Sequence, residues 1–197
     1  IPVAAPIANS SGKPSPTRAS HVEFDLSGKI DMIIDGGPAD WGLESTILDV
    51  SVDKPVLLRP GAITKEMIED IIGEIDVDPA VYAKPSADIV PKAPGMKYKH
   101  YSPSASVTLV SGSRDDVIRT INEKVAEDSK KGLSVGILAT EQTKDSYKGG
   151  HVLIVGDRDR PETIGANLFK ILRKFDYIGV DVVYSEVFDE SGEGAAY

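Results

Sequence analysis

Residues 106–197 alternate short, nearly all-apolar segments with longer amphipathic segments, and this alternation restricts the fold more than any other feature. The predicted elements are a strand at 107–110, a helix at 115–130, strands at 134–139 and 152–155, a helix at 161–175 and a strand at 182–184. One face of the second helix carries apolar residues at helical spacing: Ile164, Leu168, Ile171, Leu172 and Phe175. Fully apolar strands between amphipathic helices are typical of a parallel sheet covered on both faces. We therefore predict a small Rossmann-like three-layer domain with a mainly parallel sheet, in the α/β class.

The first 83 residues are richer in Gly, Pro and Ser, and they predict shorter elements. Strands are expected at 1–5, 30–34, 45–50 and 56–58, with a turn at Asp35-Gly36-Gly37-Pro38. A helix follows, with Thr64 as its N-cap. Its expected buried face consists of Met67, Ile68, Ile71, Ile72 and Ile75.

Charge and composition exclude several classes of protein. The chain has 22 Lys and Arg against 31 Asp and Glu, a formal net charge of −9, which excludes broad electrostatic binding to nucleic acid. It has no cysteine, so disulfides and thiolate metal sites are excluded. Its three histidines show no metal-ligand spacing, and we expect no metal held by protein ligands. No apolar run is long enough for a membrane helix, and we expect a cytoplasmic protein.

Two features suit phosphate binding, although each has a plain structural alternative. The loop Ser11-Gly12-Lys13-Pro14-Ser15 is not a P-loop, because the earlier glycine is missing and proline follows the lysine. It fits a generic anion-binding loop and a surface turn about equally. Arg59 ends an apolar strand before Pro60-Gly61, where a guanidinium could bind phosphate through two hydrogen bonds or simply pair with a carboxylate.

Five segments in order resemble the YrdC/YwlC family of threonylcarbamoyl-AMP synthases. They are residues 3–17 (VAAPIANSSGKPSPT), 35–38 (DGGP), 42–46 (GLEST), 58–61 (LRPG) and 93–103 (APGMKYKHYSP). The fifth resembles the interdomain linker of the two-domain members, and the region after it resembles their accessory domain. The resemblance spans essentially the whole chain.

This resemblance implies an organisation in three parts. Residues 1–83 correspond to the C-terminal half of the YrdC-like catalytic domain, an incomplete α/β domain. Residues 84–105 correspond to the linker, which folds over the active site as a flap, and residues 106–197 to the Rossmann-like accessory domain. The family's catalytic domain begins well before Ile1, so we expect the start of the parent protein to be missing. We also expect the 197 residues alone to have little synthase activity.

The implied activity is that of a nucleotidyltransferase in tRNA modification. ATP, L-threonine and bicarbonate would give threonylcarbamoyl-AMP, pyrophosphate and water, with Mg²⁺ entering together with ATP. The product would pass to the machinery that transfers the threonylcarbamoyl group to adenosine 37 of tRNA. Weak or no direct binding of nucleic acid and no membrane association are expected.

Site residues follow from the same resemblance, position by position. The implied ATP-binding residues are Ala5, Ile7, Asn9, Ser11, Ser15, Arg59, His100 and Tyr101. Ser45 corresponds to a threonine-binding position. The family usually has serine where this chain has Ile7, so the side-chain hydroxyl that contacts the nucleotide in relatives is missing at this position. No catalytic side chain is identified, because positioning and charge neutralisation suffice for this chemistry.

Two other functions remain open at this point. A YrdC fold could serve as a module that binds double-stranded RNA or tRNA without catalysis, although the acidity of the chain argues against it. A carbamoyl-transfer domain like those of hydrogenase maturation proteins is the other, and the linker argues against it.

Overall fold

The computed structural model describes Pro2, residues 6–81 and residues 103–188. Its helices and strands in chain order are α1 (Ala19–Leu26), β1 (Ile47–Asp49), β2 (Val56–Arg59), α2 (Lys65–Ile72), β3 (Asp76–Val77), β4 (Ser106–Val110), α3 (Arg114–Lys130), β5 (Val135–Thr140), β6 (His151–Gly156), α4 (Pro161–Ile178) and β7 (Val182–Glu186). They form two compact units. Residues up to Gly42 group with residues 103–188, and residues 43–81 form the second unit.

The larger unit is built on a four-stranded sheet in the order β4-β7-β5-β6. All three strand pairs are parallel, as the apolar character of the strands predicts. Each of the six elements expected after residue 106 is present, with ends shifted by only a few residues. Ser113 caps α3, because its side chain accepts a hydrogen bond from the backbone N–H of Asp116.

Helices cover both faces of this sheet, which confirms the three-layer arrangement. On one face, Val117, Ile121 and Val125 of α3 pack with Val135, Ile137, Ala139, Val182 and Tyr184 of the sheet. Successive strand residues point to opposite faces, so Gly136 faces the other side. A Cβ atom at Gly136 would lie 2.6 Å from the ring of Phe175, so α4 lies directly against that face. Phe175 is fully buried there.

Helix α1 and the loop before it pack in the same unit as α4. Asp25 of α1 and Arg173 of α4 form a buried ion pair in which the Nη1 and Nη2 atoms of the guanidinium group donate to the two carboxylate oxygens, at 3.2 Å and 2.8 Å. Arg173 also donates to the backbone oxygens of Pro14 and Ser15. The sequence alone did not predict α1.

The smaller unit contains a three-stranded sheet in the order β1-β2-β3. Helix α2 lies between β2 and β3 in the chain. Strands β1 and β2 are antiparallel and confirm the predicted runs at 45–50 and 56–58. Thr64 caps α2 as expected, accepting a hydrogen bond of 3.2 Å from the backbone N–H of Met67. Leu57, Leu58, Ala62 and Ile75 form its buried apolar residues.

Two predictions for the first 83 residues are wrong. Residues 30–34 form no strand, because no described residue pairs with them; the side chains of Met32 and Ile34 are 76% and 87% exposed. The expected buried face of α2 is largely exposed, since only Ile75 of the five residues is buried and Ile71 is 84% exposed. The apolar spacing gave the helix correctly, but none of the described elements covers that face. The predicted strand at 1–5 and the linker up to residue 102 lie outside the described residues, so the domain boundaries at 83 and 105 stay a prediction.

Candidate functional site

Two of the predicted site residues, Ser45 and Arg59, are in direct contact. The Nε and Nη2 atoms of Arg59 donate to the backbone oxygen of Ser45 at 3.1 Å and 2.9 Å. Nη2 also lies 3.2 Å from the Ser45 hydroxyl oxygen. The guanidinium plane is therefore fixed by a two-pronged contact, which lysine could not make. A predicted threonine-binding position and a predicted phosphate-binding position thus share one small surface.

The antiparallel pairing of β1 with β2 produces this contact. Arg59 is the last residue of β2 and lies opposite Ile47 at the start of β1, where the register shifts. Ser45 precedes β1 by two residues. A strand end that is half-buried lets the stem of Arg59 pack while its charged end reaches the loop before β1.

The backbone at Gly61 packs directly against the loop that carries Ser45. A Cβ atom at this position would lie 2.4 Å from the oxygen of Glu44 and 2.4 Å from the nitrogen of Thr46. These are backbone atoms of the segment that carries Ser45, so they cannot move aside as a flexible side chain would. The Arg-Pro-Gly sequence therefore needs glycine for close packing of two backbones.

We expect Gly61→Ala to destabilise the protein by about 1–3 kcal/mol, because the added methyl group overpacks the backbone around Ser45. Urea unfolding of the variant measures this. Gly36→Ala is the matched control, since nothing lies within 4 Å of the Cβ position there and its φ is not positive. Equal unfolding free energies for the two variants would contradict the packing argument.

The predicted ATP loop forms a compact turn in the larger unit. The Asn9 side-chain amide donates to the Lys13 oxygen at 3.0 Å, so it stabilises the loop from within. The backbone N–H of Ser10 donates to Asp25 at 3.1 Å. Ile7 and Ser11 are exposed, whereas Ser15 is buried. Ala5, His100 and Tyr101 lie outside the described residues, so their predicted roles stay predictions.

The Asp35-Gly36-Gly37-Pro38 segment forms the expected turn. The Asp35 carboxylate accepts a hydrogen bond of 2.9 Å from the Gly37 backbone, and Gly37 has a positive φ of 91°. The N–H of Ala39 then donates to the oxygen of Thr17 at 2.9 Å. This bond ties the turn to the residues that follow the ATP loop.

The ionisable residues Asp25, Arg173 and His21, which contact the ATP loop or the residues after it, belong to none of the sequence motifs. Burial raises the pKa of Asp25, but hydrogen bonds from Arg173 and from the Ser10 backbone outweigh it, so the pKa lies below its ordinary value. Burial and the positive charges of Arg173 and Arg18 lower the pKa of His21. The Nδ1 atom of His21 accepts a hydrogen bond of 3.1 Å from the Thr17 backbone N–H. Because an accepting nitrogen carries no proton, this bond agrees with the lowered pKa. The sequence signal for the pair of Asp25 and Arg173 is weak: Asp25 stands between Phe24 and Leu26, and Arg173 directly follows the predicted core residues Ile171 and Leu172.

A buried polar cluster lies at the carboxyl ends of the strands. Glu186, at the end of β7, is 1% exposed and accepts hydrogen bonds from Thr143, from Tyr147 at 2.6 Å and from Arg158. Burial and the neighbouring Glu186 raise the pKa of Tyr147 far above its ordinary value. Carboxylate, hydroxyls and guanidinium satisfy one another, so we interpret this cluster as structural.

The structure offers no grouping for a bound metal within residues 6–81 and 103–188. No three or more His, Asp or Glu side chains come together there in a way that could hold an ion. Among the same residues, no helix is both long and apolar enough to span a membrane.

Comparison with known proteins places the chain in a family. The model of the family described as "Threonylcarbamoyl-AMP synthase, C-terminal domain" matches residues 63–197, and a second, described as "Telomere recombination", matches residues 1–61. The chain belongs to the threonylcarbamoyl-AMP synthase C-terminal domain family. The resemblance found in the sequence motifs is thereby confirmed.

Individual relatives agree with this assignment. The chain is 51% identical over 195 residues to the threonylcarbamoyl-AMP synthase of Pyrococcus abyssi and 45% identical over 196 residues to that of Bacillus subtilis. These matches cover 99% and 100% of the chain, but only 55% of each relative. The chain therefore spans about half the length of the relatives it matches.

A solved structure supports the fold of this family member. The crystal structure of P. abyssi Sua5 complexed with L-threonine matches with a TM-score of 0.86 and 49% identity. The match covers 97% of this chain and 54% of that one. The predicted α/β fold class is thereby confirmed.

Proposed function

We propose that the protein carrying this chain is an L-threonylcarbamoyladenylate synthase. It would convert ATP, L-threonine and bicarbonate into threonylcarbamoyl-AMP, pyrophosphate and water for the threonylcarbamoyl modification of adenosine 37 in tRNA. The names of the relatives at 51% and 45% identity support this, as does the threonine complex of the P. abyssi protein. The proposed location is the cytoplasm, and the proposed recipient of the product is the tRNA-modifying transfer machinery.

The contact between Arg59 and Ser45 is the observation that carries the proposal. The reaction requires the carbamate formed from threonine to meet the α-phosphate of ATP. Ser45 is the proposed threonine-binding residue, and the Arg59 guanidinium lies 3.2 Å from its hydroxyl. A cation fixed beside the amino-acid site can hold a phosphate next to it, where the two substrates must react.

The chemistry divides into two steps. The amine of threonine attacks bicarbonate to form a carbamate, and water leaves. A carbamate oxygen then attacks the α-phosphorus, the bond to the bridging oxygen breaks, and pyrophosphate departs with the electron pair. Both steps depend on proximity and on charge neutralisation more than on a reactive side chain. Arg59 would provide positive charge next to the phosphate.

Mg²⁺ would enter as part of the MgATP substrate, bound to phosphate oxygens. The proposed ATP-binding set remains Ala5, Ile7, Asn9, Ser11, Ser15, Arg59, His100 and Tyr101. The proposed domains are residues 1–83 for the catalytic part, 84–105 for the linker and 106–197 for the accessory part.

Pyrophosphate release by the intact protein tests the proposed function. We expect release from MgATP only when threonine and bicarbonate are both present, because the nucleophile is the carbamate made from the two. The matched control replaces threonine by alanine, which has the same amine but lacks the hydroxyl and methyl group. Equal rates of release with and without threonine would show that the assignment is wrong.

A further inference from the structure

A basic cavity of about 370 Å³ lies between α1, the loop before it and α4, all within the larger unit. Five cationic side chains line this cavity: Lys13, Arg18, Lys170, Arg173 and Lys174. Asp176 is the one carboxylate among its lining residues. Because the whole chain has a net charge of −9, such a concentration of positive charge is unusual for this protein.

The chain geometry explains why the cations converge. Lys170, Arg173, Lys174 and Tyr177 lie three to four residues apart, so they share one face of α4. The opposite face packs its apolar residues on the sheet. Arg18 precedes α1, and His21 lies in its first turn, so both reach the same cavity.

Internal ion pairs neutralise only part of this charge. Arg173 is matched by Asp25, and Lys13 lies 3.9 Å from Asp176, a weak contact. Among the described residues, Arg18 and Lys174 have no ion-pair partner, and both are exposed. Two cations at the rim of the cavity are therefore available to a ligand.

The lowered pKa of Lys170 agrees with an excess of positive charge in the cavity. Burial lowers its pKa, and repulsion by Arg18 and Lys174 lowers it further. Three like charges held together are unfavourable by themselves, and a bound anion would relieve the repulsion.

We propose that this cavity binds a small phosphate-bearing anion through side chains other than Ser45 and Arg59. The volume lies within the range of small-molecule pockets, and Lys and Arg side chains from two elements can surround a phosphate group. Phe24 and Tyr177 also line it with 72% and 86% of their surfaces exposed, so an aromatic base could stack there. The concave shape favours a small molecule over the extended backbone of RNA.

Binding of pyrophosphate and AMP to the intact protein tests this site, using calorimetric titration. The measurement is made in the Arg59→Ala background, so that the phosphate contact proposed for Arg59 is absent. We expect the double change Arg18→Gln with Lys174→Gln to weaken binding of at least one of the two probes by about tenfold or more, since two charge-assisted contacts are lost. Both positions are exposed, so the fold should be retained.

The matched control is Lys130→Gln with Lys148→Gln, which removes the same charge at exposed positions that do not line the cavity. We expect this variant to bind both probes as the parent does. Equal losses in the two double variants, unchanged affinity in the Arg18 and Lys174 variant, or no binding of either probe would overturn the proposal. Binding of a single-stranded RNA of 12 nucleotides without binding of either small probe would also overturn it. Failure of the threonine-dependent pyrophosphate assay would leave this result unaffected, since binding of the probes is measured directly and does not depend on turnover.

Discussion

Replacement of Arg173 by alanine is expected to lower the free energy of unfolding by about 3–5 kcal/mol, the range for breaking a buried ion pair from one side. The side chains of Arg173 and Asp25 are 8% and 2% exposed. Removal of the guanidinium would leave the Asp25 carboxylate buried with its main counter-charge gone. It would also remove the hydrogen bonds to the backbone oxygens of Pro14 and Ser15. Urea unfolding measures the loss.

Two comparisons separate this effect from a general loss of charge. Arg119→Ala removes an arginine from an exposed pair with Asp116 and should cost less than about 1 kcal/mol. The double variant Arg173→Met with Asp25→Leu removes both charges and should be more stable than Arg173→Ala. A loss in Arg173→Ala no greater than that in Arg119→Ala would contradict the role of the pair.

The same pair predicts the behaviour of the protein in acid. The pKa of Asp25 in the folded state lies below its ordinary value of 3.8. The stabilisation is therefore complete above the unfolded pKa and is lost as the pH falls through the folded one. Unfolding free energies of the parent and of Asp25→Asn should differ most near pH 7 and converge below about pH 4. A difference that stays constant down to pH 3 would show that ionisation of Asp25 contributes nothing.

Local patterns predicted the sheet unit well, because its determinants are local. Apolar runs gave all four strands after residue 106, and the spacing of Ile164, Leu168, Ile171 and Phe175 gave α4 with its buried face. The parallel order also followed, since strands that are buried on both faces need helices above and below them. In this unit, the apolar residues that favour each strand also require that helices cover both faces of the sheet.

Prediction failed where the stabilising contact is distant in sequence. Helix α1 has no side-chain N-cap, and its Asp25 pairs with an arginine 148 residues away, so no short window reveals it. The apolar face of α2 was identified, but spacing cannot say whether another element covers it. Residues 30–34 have the composition of a strand, yet a strand also requires a neighbour for its backbone hydrogen bonds.

In the candidate site, too, the sequence identifies residues but not the contacts between them. The motifs around Ser45 and Arg59 could be found in the sequence, but their direct contact depends on the pairing of β1 with β2. The need for glycine at position 61 follows only from the 2.4 Å approach of the loop backbone. The sequence motifs did not point to the basic face of α4, because the cavity that this face lines exists only where α1 approaches it.

Arg59→Ala in the intact protein is expected to weaken ATP binding by about 1.5–3 kcal/mol, roughly ten- to 150-fold, as for hydrogen bonds to a charged group. Arg59→Lys should recover only part of this loss. Lysine keeps the charge but cannot donate to the Ser45 oxygen from two atoms in one plane, as the Nε and Nη2 atoms of arginine do. Calorimetric titration with MgATP measures both variants, and urea unfolding checks that they remain folded. Arg114→Ala is the control, because this exposed arginine begins α3 in the other unit. If Arg59→Ala and Arg114→Ala bind MgATP equally well, then the contact with Ser45 serves the strand pairing alone and Arg59 does not bind the nucleotide.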